Sequence, residues 1–161
     1  MAVKIASATF TRPNNTTQYS VGDLVANSAT NTAVSPMSLQ VADYPGGDFS
    51  VRRCKLTTSG AVVTSGDFRV HLYSPGTITC ANGDNGAYST DSAAKYLGAM
   101  DVTLSLDCTD GQVGFGVPNV GNEISSGLTT GQSIQALLEA RGTYTPISGE
   151  VFTLAMERYN F

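Results

Sequence analysis

His71 is the only histidine of the chain. It stands between Arg69 and Tyr73 in a segment where polar and apolar residues alternate. On a strand with Phe68, Val70 and Leu72 turned inward, Arg69, His71 and Tyr73 share the outer face. A cysteine nucleophile would need His71 beside one of Cys54, Cys80 and Cys108, and nothing in the local sequence suggests it. No Gly-x-Ser-x-Gly elbow, Walker loop or His-Glu-x-x-His string occurs. His71 is expected to be an ordinary surface residue, and no catalytic residue is assigned.

Cys54, Cys80 and Cys108 lack the close-paired spacing or histidine partners of a zinc site. Free thiols are expected, with a Cys80–Cys108 bridge as the alternative under oxidation. Asp84, Asp91, Asp101, Asp107 and Asp110 fall in or beside predicted loops. Asn82-Gly83-Asp84-Asn85-Gly86 has some likeness to a calcium loop, but it lacks the alternating acidic ligands and the terminal glutamate. Asx and glycine suit such turns for backbone reasons alone, so neither metal nor cofactor is expected. Arg52, Arg53 and Lys55 are the one basic cluster. On a regular strand Arg53 and Lys55 lie on one face and Arg52 on the other, a solvated face rather than a binding patch. Tyr73, Tyr88 and Tyr144 could stack on a sugar, but buried or edge packing is the expectation.

These residues must be positioned by strands. Period-two alternation runs from end to end. Val3, Ile5, Ser7 and Thr9 oppose Lys4, Ala6, Ala8 and Phe10. Met37, Leu39 and Val41 alternate with Ser38, Gln40 and Ala42. Phe49, Val51, Arg53 and Lys55 form the next strand, and Val102, Leu104 and Leu106 repeat the pattern later. Phe152, Leu154, Met156 and Arg158 oppose Val151, Thr153, Ala155 and Glu157. Ser133 to Arg141 fits a helix by residue propensity and a strand by alternation; its surroundings favour strand. Ser89 to Leu97 has room for one helical turn. The longest irregular stretch, Ser74 to Ala94, is of a length that is usually functional or mobile. Eight to ten strands in one domain over residues 1–161 predict an antiparallel β-sandwich. A jelly roll comes first, with other Greek-key sandwiches next. The first and last strands are then expected to be antiparallel neighbours.

Composition agrees with many short strands joined by turns, since the 161 residues include 17 glycines and no tryptophan. A net charge of −4 argues against a nucleic-acid partner, which needs clustered cations. No apolar run approaches the roughly 20 residues of a membrane span, and Met1 to Ile5 lacks the apolar core of a signal peptide. The product is expected to be made and kept in the cytoplasm, with no membrane partner.

Several strings carry a resemblance. They are Phe10-Thr11-Arg12-Pro13-Asn14-Asn15-Thr16-Thr17-Gln18-Tyr19, Val21-Gly22-Asp23-Leu24-Val25-Ala26-Asn27-Ser28, Asp67 to Tyr73, Gly83 to Tyr88, Leu137 to Gly142 and Gly149 to Leu154. Together they resemble a family of small virion proteins of tailed bacteriophages. The resemblance implies a non-enzymatic virion structural protein, first of all a capsid decoration or cement protein. Such a protein binds the major capsid protein on the outer face of the lattice, commonly as a homotrimer. A fibre, receptor-contact or glycan-binding β-sandwich module is the alternative. Contact residues are expected on loops: Arg12, Pro13 and Asn14 in the first turn, with Asp84 and Tyr88 in the longest loop.

Overall fold

Alternating apolar side chains bury one face of each strand, and the turn residues between them return the chain antiparallel. The computed structural model describes residues 3–60, 66–119 and 123–160. Its strands are β1 (Val3–Thr11), β2 (Leu24–Val25), β3 (Met37–Gln40), β4 (Asp48–Thr58), β5 (Asp67–Tyr73), β6 (Tyr96–Cys108), β7 (Gly111–Gly116), β8 (Ser125–Gly127), β9 (Ser133–Ala140) and β10 (Val151–Asn160). Helix among the described residues is confined to single 3-10 turns at Asn31–Ala33 and Ala93–Lys95. The chain is all-β, and Ser133–Ala140 is a strand.

All ten strands join one antiparallel sheet in the order β1-β10-β4-β7-β6-β5-β9-β2, with β3 also on β9 and β8 on β4. The pairing is nested: β1 with β10, β3 with β9, β4 with β7, and β5 with β6. The sheet curls into a half-barrel, consistent with a β-sandwich. Strand β6 makes the corner. Its first half pairs with β5, its second half with β7, and its register slips between Leu104 and Leu106. A bulge of this kind bends a strand from one layer into the next.

The interior is the expected one for β5, where Phe68, Val70 and Leu72 are fully buried, and β10 turns Phe152, Leu154 and Met156 into the same interior. Phe68 meets Tyr144 and Phe152 edge-on, with centroids 5.2 and 5.4 Å away.

Three expectations about strand faces are corrected. First, β4 carries a bulge: Glu157 and Arg158 of β10 face Arg53 and Val51, so Arg52 is an extra residue. Phe49 and Val51 point inward before it, Cys54 and Leu56 after it, and Arg52, Arg53 and Lys55 are all exposed. Second, the slip in β6 turns Leu106 out to solvent while Val102 and Leu104 stay buried. Third, His71 and Tyr73 do not face solvent; both are buried, and only Arg69 of that outer trio is partly exposed. The cause is the 74–94 stretch, which doubles back over β5 and β9. Tyr73, Ile78, Cys80, Leu24, Ala26 and Leu137 form a second apolar cluster beneath it. Residues 83–88 hydrogen-bond alongside β2, through Leu24 N–H to Gly86 O at 2.7 Å and Asn85 N–H to Leu24 O at 2.9 Å, covering what would be a free edge.

Candidate functional site

Strand β1 ends at Thr11, and Arg12 N–H donates to Glu150 O at 2.9 Å, which ties the first turn to the entry of β10. The Arg12 side chain then runs inward. Its Nη2 lies 2.9 Å from Asp84 Oδ2, both side chains being at most 1% exposed, and its Nε donates to the Tyr19 phenol oxygen. That phenol donates to Asp84 Oδ1 at 2.5 Å, and Ala26 N–H donates to the same oxygen at 2.9 Å. Burial first, and Asp84 second, hold the Tyr19 hydroxyl far above its usual acidity range. Asp84 reaches this point because Gly83 presses against the 29–30 backbone, where a Cβ would stand 2.1 Å from Ala29 O. Asn85 takes the left-handed φ of 65° that asparagine tolerates.

Two of the five expected contact residues, Arg12 and Asp84, are therefore brought together, but as a buried tie. Their functional groups cannot reach a partner's surface. Pro13 is half-buried and Asn14 exposed, while Tyr88 is half-buried. Glu150 was not anticipated; it is fully buried and accepts hydrogen bonds from Thr58 and Tyr144.

The second cluster surrounds His71. Its Nε2 is 2.7 Å from Glu139 Oε2 and its Nδ1 is 3.1 Å from the Tyr96 hydroxyl. A carboxylate only accepts, which assigns the proton of the neutral ring to Nε2 and leaves Nδ1 to accept from Tyr96. Tyr88 stacks on the imidazole at 4.2 Å and 18°. The Tyr88 and Tyr73 hydroxyls meet at 2.5 Å, and Tyr73 reaches Thr90 at 3.2 Å. Arg141 holds the other oxygen of Glu139 at 2.9 Å, and Arg69 grips Asp101 at 2.7 and 2.9 Å. Burial lowers the His71 pKa more than the Glu139 hydrogen bond raises it.

Both imidazole nitrogens are thus occupied, and no serine or cysteine bonds to them among the described residues. Burial pushes the Cys54 thiol up to about 12, so it offers no thiolate near neutral pH. No group of three metal-ligating side chains occurs among the described residues. The arrangement fastens the long loop to the sheet. Sequence held one sign of it: Ala136, Leu137 and Leu138 are consecutive apolar residues, which a strand covered on both faces requires.

The opposite situation holds on the outer face of β1-β10-β4-β7. Cross-strand rows run Ser7, Ala155, Lys55, Phe115 and Ile5, Glu157, Arg53. A third row is Thr9, Thr153, Thr57, Val113. Ile5 and Phe115 are each more than half exposed, as is Val117 just beyond β7. Ser59 and Asp110 border this face beside the third row, while Ile5 and Phe115 lie open to solvent. Compared with protein-family models and with curated proteins, the chain matches none.

Proposed function

We propose that the chain is a non-enzymatic structural protein of a tailed-phage virion, seated on the outer face of the capsid lattice as a decoration or cement protein. The observation that carries a binding role is the contrast between the two outer faces. One is sealed by the chain's own loop, whereas the other presents Ile5, Phe115 and Val117 to solvent. Exposed apolar groups of this kind mark interaction surfaces. The His71 and Arg12 clusters have their hydrogen-bonding groups engaged internally, which favours binding over catalysis. The tyrosines that would carry a glycan platform, Tyr73 and Tyr88, are spent on each other and on His71.

The virion context comes from the sequence resemblance. On this reading the partner is the major capsid protein, and self-association into trimers places copies on three-fold positions. We also read the fold as a jelly roll. Support comes from the nested pairing of β1 with β10, β3 with β9, β4 with β7 and β5 with β6. A protein that binds only the expanded lattice stabilises it by mass action, about 2.7 kcal/mol per site at a free concentration of 100 Kd.

Co-sedimentation with undecorated expanded capsids tests the role. Saturable binding at a copy number set by the lattice is expected. Binding to host cells with no binding to capsids would replace this reading with the receptor module, and release of product from a glycan would replace it with an enzyme.

A further inference from the structure

We propose that the outer face of β1-β10-β4-β7 docks an acidic protein segment, which seats an apolar side chain between Ile5 and Phe115 and a carboxylate against Lys55. This rests on the preceding reading of the chain as a binding protein, and it names the partner's chemistry.

A shallow cleft of about 290 Å³ opens on this face, lined by Ile5, Arg53, Lys55, Phe115, Ala155 and Glu157. It exists because Ala155 is small and sits in one row between Ser7 and Lys55, while Ile5 and Phe115 stand on either side. Roughly ten waters fill such a space at about 30 Å³ each. An apolar side chain that displaces them removes exposed Ile5 and Phe115 from water, which is favourable.

Charge selects the occupant. The bulge in β4 turns Arg52, Arg53 and Lys55 all outward. Glu157 is the one carboxylate among them, 2.7 Å from Arg53 and 3.8 Å from Arg52. Three cations against one carboxylate leave an excess of two positive charges, on a chain whose net charge is −4. Lys55 has no ion-pair or hydrogen-bond partner among the described residues. The Arg53 guanidinium lies over the Phe115 ring at 5.2 Å, so the ring and one cation are already ordered before a partner arrives, which lowers the entropy lost on docking. A second copy meeting this face with its own would set Lys55 and Arg53 against their equivalents, which is repulsive. A nucleic acid would face Ile5, Val117 and a carboxylate in place of a field of cations. An acidic polypeptide with an exposed apolar side chain satisfies both halves of the surface.

The test is a titration of the isotope-labelled protein followed by amide NMR, with a short peptide of alternating glutamate and leucine. A lysine–leucine peptide and a single-stranded oligonucleotide serve as comparisons. Shifts are expected around Ile5, Lys55, Phe115 and Ala155 with the acidic peptide alone. Lys55→Glu and Phe115→Ser should each weaken binding about tenfold or more, with a cooperative thermal transition by circular dichroism showing that each variant still folds. No shift, shifts elsewhere, or equal shifts with the basic peptide or the oligonucleotide would overturn the proposal. So would concentration-dependent self-association that Phe115→Ser abolishes, since a second copy would then be the occupant. The same variants with capsids separate the two readings. If parent and variants bind capsids equally, this surface falls and the capsid role stands. If the parent takes the acidic peptide but ignores capsids, the capsid role falls and the surface stands.

Discussion

Arg12 cannot be shortened without leaving the Asp84 carboxylate buried beside one phenol and one backbone N–H. Arg12→Met should cost about 3–5 kcal/mol in urea unfolding, the usual loss when one partner of a buried pair is removed. Adding Asp84→Asn should recover part of it, because the charge is then gone. A charge reversal at Arg12 would therefore report on folding before it reported on any partner. His71 predicts a pH dependence. Facing it are Glu139, Tyr96 and Tyr88, with Arg69 and Arg141 near enough to oppose its protonation. Burial keeps its folded pKa below the unfolded value of 6.5, so the unfolded chain takes up the proton first as pH falls. The stability it contributes is complete above that value and is lost as pH drops through the folded pKa. Denaturation measured between about pH 7 and 5 should show this decline, and His71→Gln should flatten it. Hydrogen exchange in the 74–94 loop should rise over the same range, since Tyr88 and Glu139 hold that loop through the imidazole.

At the scale of elements, alternation predicted the inward face of β5, but it could not predict a bulge. Phe68→Ala should cost about 3–5 kcal/mol, as expected for a fully buried aromatic side chain. Leu106 has the same apolar character and the same apparent phase as Val102 and Leu104, yet it is exposed. Leu106→Ser should change stability by no more than about 0.5 kcal/mol. Equal losses at the two positions would show that the β6 slip is absent. The bulge in β4 acts likewise, because one extra residue moves every later side chain to the other face. Sequence supplies the alternation on either side of such a point. The insertion itself depends on how the partner strand is spaced, and residues far away in the chain decide that spacing.

Across the whole molecule, the first strand pairs with the last and β10 lies between β1 and β4. Strand β1 therefore cannot join the sheet until β10 is available, and such non-local pairing makes folding slow. A chain ending at Gly149 loses Phe152, Leu154 and Met156 from the core and should show no cooperative thermal transition by circular dichroism. The all-β class, the strand at Ser133–Ala140 and the buried triad of β5 were legible in sequence. The class and the triad follow from period-two patterning within a few residues, since burial of one strand face is a local requirement, and the strand at Ser133–Ala140 was decided by the strands around it. Tertiary structure decided that Arg12 pairs with Asp84, 72 residues away. It also decided that His71 lies under the long loop, and that one outer face is sealed while the other leaves Ile5 and Phe115 open to solvent. Those outcomes depend on where a loop lands after the sheet has curled. The landing is set by many weak contacts between distant segments, and no local pattern of residues records them.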